Sequence, residues 1–193
     1  MELIFASNNA NKVQEIQQIL PEDITLISLK DAGILIEIPE PHDTLEANAR
    51  EKSTTIHRLT GKDCFSEDTG LEVEALNGEP GVRSARYAGE KADAAANTAK
   101  LLAALSNNND RRARFRTVIS LILAGTEYQF EGICNGQIIQ APKGNGGFGY
   151  DPVFIPDGET RSFGEMSMAE KKIYSHRRKA TDLLVSFLGQ QIK

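Results

Sequence analysis

The runs Phe115 to Ala124 and Tyr128 to Cys134, parted by Gly125 and Thr126, restrict the fold more than any other feature of the chain. Two apolar, strand-like segments about a short glycine-containing break read as a β-hairpin. Elsewhere strand-like and helix-like segments interleave. A purely doubly wound parallel sheet has no place for an inserted antiparallel hairpin. The pattern therefore points to an α/β fold with a mixed central sheet and flanking helices.

The remaining elements fit that reading. Glu2 to Ala6 and Ile24 to Ser28 are strands, and Asn9 to Leu20 is a helix with Val13, Ile16 and Leu20 on one face. A loop with Pro39 and Pro41 leads into a helix from Thr44 to Thr60, with Asp43 as N-cap and Glu46 three residues on in a capping-box pattern. Leu45, Ala49, Ile56 and Leu59 would face its core. Asp63 to Ser66 and Leu71 to Ala75 read as two short strands, Asn77 to Gly81 as a turn, and Asp93 to Ser106 as a helix. The last helix carries Ala180, Leu183, Leu184, Phe187 and Leu188 at helical spacing. With 193 residues and neither repeat nor linker, the chain is expected to be one domain, 1–193.

Charge bears on partners. The net charge of −5 disfavours a protein that lives on nucleic-acid phosphates. It does not disfavour a small anion, because a bound divalent cation inverts the local field at an acidic site. Cys64 and Cys134 lie in strand-like runs with no CxxC pair and read as reduced thiols. The apolar run Leu3 to Ala6 is too short for a signal core, and no stretch approaches a membrane span, so no membrane partner is expected and the cytoplasm is the expected location.

Four segments could carry chemistry. Ser7, Asn8, Asn9, Ala10, Asn11 and Lys12 lie where the first strand turns into the first helix, a place where free N–H groups favour phosphate; taken alone, an ordinary helix cap accounts for them more simply. Glu67 and Asp68 are adjacent acids, with Glu40 on an earlier loop; they suit a metal and a water, or a solvated strand end. Lys143 to Pro152 contains a formal GxGxxG, but strand-like Val153 to Ile155 follows where a dinucleotide site needs a helix. No GxxxxGK[ST] is present either. What remains is a flexible loop with Phe148, Tyr150 and Asp151, able to stack on a base and read its edge, or to tuck its aromatics into the core. Lys171, Lys172, His176, Arg177 and Arg178 form a basic group near and at the start of the last helix; a solvated basic face accounts for them more simply than a site, and a bend would be needed for Lys171 and His176 to converge. His42 and His57 fit no metal spacing and read as surface residues.

Each segment alone is modest, but their order is informative. SNNANK (7–12), TLEANA (44–49), SEDTGL (66–71), PGVRSARYAG (80–89), GFGYDPVF (147–154) and AEKKIYSHR (169–177) follow one another along nearly the whole chain. This series resembles the non-standard purine NTP pyrophosphatases, the inosine triphosphatase or Ham1-like group. The resemblance implies two lobes about a long mixed sheet with the active-site cleft between them, a homodimer, a Mg²⁺ requirement, and cleavage of dITP, ITP or XTP to the monophosphate and pyrophosphate. Carried over residue by residue, it places phosphates on Ser7 to Lys12. Lys52 is a second basic catalytic group, Glu40 and Asp68 hold Mg²⁺, and Asp68 is also the general base. Thr69, Phe148, Gly149, Tyr150, Asp151, Lys171, His176 and Arg177 line the nucleotide site. The chain departs from the family's Glu-Asn-Ala at Ala47-Asn48-Ala49 and from its Asp-Asp-Ser-Gly at Glu67-Asp68-Thr69-Gly70. Two alternatives remain at this point: a Maf-like pyrophosphatase acting on pyrimidine or methylated nucleotides, and a nucleotide-binding regulator without turnover.

Overall fold

The computed structural model describes residues 1–191. Seven strands form one sheet: β1 (Glu2–Phe5), β2 (Thr25–Ser28), β3 (Cys64–Val73), β4 (Pro80–Gly81), β5 (Arg112–Leu123), β6 (Thr126–Ile138) and β7 (Phe154–Pro156). Their order is β2-β1-β3-β5-β6-β7, with β4 on β3. β1 runs parallel to β2 and β3, whereas β3/β4 and β6/β7 are antiparallel. Five α-helices accompany the sheet: α1 (Ala10–Gln17), α2 (Leu45–Thr60), α3 (Ala94–Ala104), α4 (Met168–Tyr174) and α5 (His176–Gln191). The fold is the expected mixed α/β. The hairpin turns at Ala124 and Gly125, one residue earlier than the sequence suggests, with φ of 49° and 80°. Positive φ at both turn residues matches the twist of paired strands.

Backbone contacts group the chain into two units. The first comprises Met1–Asp68, Thr117–Gly132 and Arg177–Lys193, and the second Thr69–Arg116 and Ile133–His176. In the first unit β1 is buried on both faces, which is why it reads as an uninterrupted apolar run. Leu3 and Phe5 pack with Ile16, Phe65, Ile119, Leu184 and Leu188. Ile4 and Ala6 face Leu29, Ile56, Cys64 and Ile122 on the other side. The Phe5 and Phe65 rings stack at 4.8 Å. Truncating either to Ala would cost roughly 3–5 kcal/mol. In the second unit Leu71, Val73, Leu101, Phe115, Tyr150, Phe154 and Phe163 share a core.

Several boundaries differ from the sequence reading. The expected strands Asp63–Ser66 and Leu71–Ala75 are joined in one strand, β3, which runs from Cys64 to Val73 and gives way to a 3-10 turn at Glu74–Leu76, because Glu67 and Asp68 are buried inside it and neutralised by cations. Thr44, not Asp43, caps α2, its hydroxyl accepting the Ala47 N–H. Glu46 then sits one position too early for a capping box. Leu59 and Leu183 are 58% and 51% exposed, so the buried stripes of α2 and α5 are narrower than the apolar pattern. On α2 the buried face instead includes Asn48, Lys52 and Ser53. The two cysteines are buried and free, and burial pushes the Cys64 thiol up to about 12. Among the described residues no helix is long and apolar enough to cross a membrane.

Candidate active site

In the first unit, three side chains meet where β3 is lined by α2. The Lys52 ammonium donates to Asp68 at 2.9 Å and to Glu40 at 2.6 Å. The Lys52 and Asp68 side chains are each 8% exposed, and that of Glu40 28%. Burial alone would lower the lysine pKa, but the charges of Asp68 and Glu40 outweigh it and hold Lys52 above its ordinary value. Burial pushes Asp68 up, and the nearby Lys52 and Lys12 charges offset only part of that rise. A carboxylate lifted in this way is a better proton acceptor near neutral pH than an ordinary aspartate.

Glu40 reaches the cluster because its loop is pinned. Asn48 Oδ1 accepts the His42 N–H at 2.9 Å and its Nδ2 donates to the His42 carbonyl at 3.0 Å. A carboxamide can satisfy a main-chain donor and acceptor together, so one α2 residue fixes the chain two residues after Glu40.

A second buried network adjoins along β3. Arg177 donates to both oxygens of Glu67, at 2.7 and 2.9 Å, and also to Glu15. Lys12 lies 3.0 Å from Glu67. Burial would raise Glu67, but the Arg177 and Lys12 cations overcome it and hold the carboxyl well below the usual carboxylate range. Glu67 and Asp68 thus point to different partners, as neighbours on a strand must.

The α1 N-terminus is as the sequence suggests, but several of its polar groups are engaged. Asn9 is the cap, its Oδ1 accepting from Asn11 N–H at 3.0 Å and Lys12 N–H at 3.3 Å, and Ser7 Oγ accepts the Asn9 N–H. Asn8, Ala10 and Asn11 are exposed.

The remaining predicted residues, Arg177 apart, belong to the second unit. Asp151 is buried; its carboxylate accepts the Phe148 N–H and the Lys171 ammonium, both at 2.8 Å. A side chain at Gly147, where φ is +72°, would collide with that carboxylate. This makes Gly147 a requirement of the loop. Lys171 Nζ also lies 4.8 Å from the centroid of half-buried Phe148. Ser175 breaks the helix between α4 and α5, supplying the bend that the spacing of Lys171 and His176 demands. His176 stacks on Phe115 at 4.7 Å. Tyr150 is a core residue whose hydroxyl donates to the Ser84 carbonyl. Gly149 follows Phe148 in the loop, and Thr69 is half-buried at the next position after Asp68.

Residues that sequence reasoning missed are Glu15, Asn48, Ser84 and Phe115. Glu15 had a signal, since it lies one helical turn from Lys12 on α1. Asn48 stood inside a quoted motif, but its partner is backbone, which no side-chain pattern reveals.

As a metal site, Glu40 and Asp68 offer hard oxygen donors, and the Lys52 ammonium bound to both marks where a cation is already stabilised. The three groups sum to one negative charge, which suits a divalent ion accompanied by an anionic ligand. Among the described residues no three His, Cys, Asp or Glu side chains converge on a metal position.

The fold and these clusters define a class: a mixed α/β protein with buried, lysine-paired carboxylates on a central strand and a braced aromatic loop. The Ham1 family pattern matches residues 3–187, and the chain belongs to that family. A dITP/XTP pyrophosphatase of Flavobacterium johnsoniae is 50% identical over 188 residues, covering 97% of this chain and 98% of the relative. One from Porphyromonas gingivalis is also 50% identical over 188 residues, covering 97% of each. The solved structure of the Staphylococcus aureus Ham1 protein matches with a TM-score of 0.90 at 39% identity, covering 99% of this chain and 100% of that one. A HAM1 protein from Coxiella burnetii matches with a TM-score of 0.91 at 34% identity, covering 98% and 99%.

Proposed function

We propose that this protein hydrolyses deaminated purine nucleoside triphosphates (dITP, ITP and XTP) to the monophosphate and pyrophosphate, removing them from the nucleotide pool. The observation that carries the reading is the buried Lys52–Asp68–Glu40 cluster. It is supported by relatives matched over nearly their whole length and named dITP/XTP pyrophosphatases.

In this reading water attacks the α-phosphorus, the bond from that phosphorus to the bridging oxygen breaks, and pyrophosphate leaves with the electron pair. Asp68 accepts the proton of the water. Lys52 and Lys12, on α2 and α1, offset charge that builds on the leaving group, and Ser7 to Lys12 hold the phosphates. Glu40 and Asp68 would hold Mg²⁺, which when bound supplies Lewis-acid stabilisation of the phosphate and acidifies the attacking water. The base is assigned to Phe148, which offers a stacking face, with Thr69, Gly149, Asp151, Lys171, His176 and Arg177 completing the lining, while Tyr150 of the same loop lies in the core behind it. Donors set for O6 are left unpaired against adenine, a mismatch that can cost several decades in specificity. The proposal extends, on the family resemblance, to a cytoplasmic homodimer.

The test is pyrophosphate release from ITP, XTP, dITP, GTP, ATP, dUTP and TTP, with Mg²⁺ and with EDTA. We expect ITP, XTP and dITP to dominate and EDTA to abolish release. Preference for dUTP or TTP would identify a Maf-like enzyme, and binding without release a regulator.

A further inference from the structure

The motif Pro80 to Gly89 has no task in the proposed reaction, yet it is among the most heavily tied segments of the second unit. Ser84 Oγ donates to the Gly81 carbonyl at 2.6 Å and accepts the Leu71 N–H of β3 at 2.8 Å. Asn97 on α3 donates to the Ala85 carbonyl and accepts the Ala88 N–H, at 2.8 and 2.6 Å. Lys100 donates to the Tyr87 carbonyl at 2.6 Å. β3 and the turn are in direct contact: a side chain at Gly70 would come within 2.6 Å of the Gly81 carbonyl oxygen. A turn this over-determined has a fixed position, and what it presents is also fixed.

What it presents is the Ser84 carbonyl. That oxygen accepts the hydroxyl of Tyr150 at 2.8 Å, in the middle of the loop that carries Phe148 and Asp151. Tyr150 is 4% exposed, and its phenol is pushed up by burial and by Tyr87, so it remains a donor throughout the neutral range. The next residue, Asp151, adds a separate hold through the Phe148 N–H and Lys171. The start of the loop is held by Gly146 N–H on the Gly164 carbonyl and by Ser162 Oγ on the Lys143 carbonyl, at 2.8 and 2.7 Å. About Phe148 itself one side-chain tie runs to α4 and one, through Ser84, to β3 three residues after Asp68.

We infer that Tyr150 and Ser84 are positioning residues that fix the Phe148 loop to β3, and that Tyr150 serves base recognition through this tie without meeting the base. The inference rests on the proposed function for its kinetic consequence but not for its mechanical one. A loop held in its binding conformation spends less free energy on ordering when the base arrives, so loss of the tie weakens recognition and leaves chemistry alone. It follows that the Pro80–Gly89 segment acts on substrate choice through a buried hydrogen bond.

The test uses Tyr150→Phe, which removes only the hydroxyl, and Ser84→Ala, which frees the Leu71 N–H and the Gly81 carbonyl. Both are measured well below their melting temperatures. The first readout is amide hydrogen exchange. Tyr150→Phe should speed exchange across 143–150, and Ser84→Ala should speed it there and at Leu71. The second is steady-state kinetics. Tyr150→Phe should raise KM for ITP by roughly 3–10-fold, the usual worth of one hydrogen bond, with kcat held within about twofold and the ATP rate unchanged. Unchanged exchange in the loop overturns the tie, whatever the activity. Faster exchange with an unchanged KM makes the bond merely structural and overturns the role in recognition. A wild-type protein that turns over none of the panel sinks the proposed function and the recognition role together, and the exchange data then decide the tie alone.

Discussion

Arg177 grips both carboxylate oxygens of Glu67, at 2.7 and 2.9 Å, with the arginine side chain 1% exposed and the glutamate fully sealed. A bidentate pair of this kind is rigid and directional. Its placement ties α5 to β3 immediately beside Asp68, so Arg177 fixes the strand as well as belonging to the proposed nucleotide lining.

Removing one partner of a buried pair leaves an uncompensated charge. Arg177→Ala should therefore destabilise the protein by roughly 3–5 kcal/mol, measured by urea unfolding. Arg177→Lys should recover part of this, because an ammonium keeps the charge and loses the fork. A stability loss under about 1 kcal/mol would mean that the network is not holding the strand.

The pH dependence follows from the same pair. Glu67 is held below its ordinary value by Arg177 and Lys12, against the effect of burial. A depressed carboxyl contributes stability that is fully present above its unfolded pKa and is lost as pH falls through the folded one. Stability should decline on acidification below about 4.5, where an unfolded glutamate titrates, and Glu67→Gln should flatten that slope. Urea midpoints between pH 3 and 7 for the two proteins decide it; parallel curves remove Glu67 as the source.

Asp68 is shifted in the opposite direction, upward, by burial. A base must be deprotonated to act, so the acid limb of kcat should lie above the ordinary aspartate value of 3.8. Asp68→Asn should fold normally and lose roughly 10²–10⁴-fold in turnover, the worth of a positioned base. An Asp68→Asn variant with near-normal turnover would transfer the role elsewhere.

How much of this was legible beforehand depends on the residue. The hairpin and most of the strand and helix order are readable because turn chemistry and apolar spacing are local, whereas the break at Ser175 enters the sequence reading only as a condition for Lys171 and His176 to converge. The sequence reads as two strands where β3 is one because two adjacent acids look like a strand end; they are inside only because Lys12, Lys52 and Arg177, distant in sequence, come to meet them. For the same reason nothing in the local pattern marks Lys12 and Lys52 as buried, yet the Lys52 side chain is 8% exposed and that of Lys12 17%. Asn48 and Ser84 were hidden because their partners are main-chain atoms, and hydrogen bonds to backbone leave no mark on side-chain pattern.

The Asn48 clamp leads to a prediction about metal. If Glu40 is held over Lys52 by the His42–Asn48 hydrogen bonds, Asn48→Ala should loosen Glu40 while leaving Asp68 in place. The Mg²⁺ concentration for half-maximal rate should rise several-fold, on the order of the 10-fold that outer ligand supports are commonly worth, with the maximal rate largely kept. An unchanged Mg²⁺ requirement would detach Glu40 from the metal.

Lys52 gives the sharpest test of the site, because it needs no turnover. Its ammonium is held between Asp68 and Glu40, so Lys52→Ala leaves two carboxylates, one of them buried, without the cation that bridges them, and only the Lys12 charge nearby to offset Asp68. The variant should be destabilised in EDTA, since an unpaired buried charge is costly. If the same two carboxylates hold Mg²⁺, the ion should bind the variant more tightly than the wild type, where lysine competes for those oxygens. Binding to the folded state alone stabilises by mass action, so 100-fold excess over Kd is worth about 2.7 kcal/mol. Melting temperatures in EDTA and in 10–20 mM Mg²⁺, taken as about 100 Kd, should therefore differ more for Lys52→Ala than for wild type. Calcium in place of Mg²⁺ serves as a second hard cation. Equal shifts in the two proteins would mean that Mg²⁺ binds somewhere other than between Glu40 and Asp68, and the catalytic use of Asp68 would then have to stand on its role as a base alone.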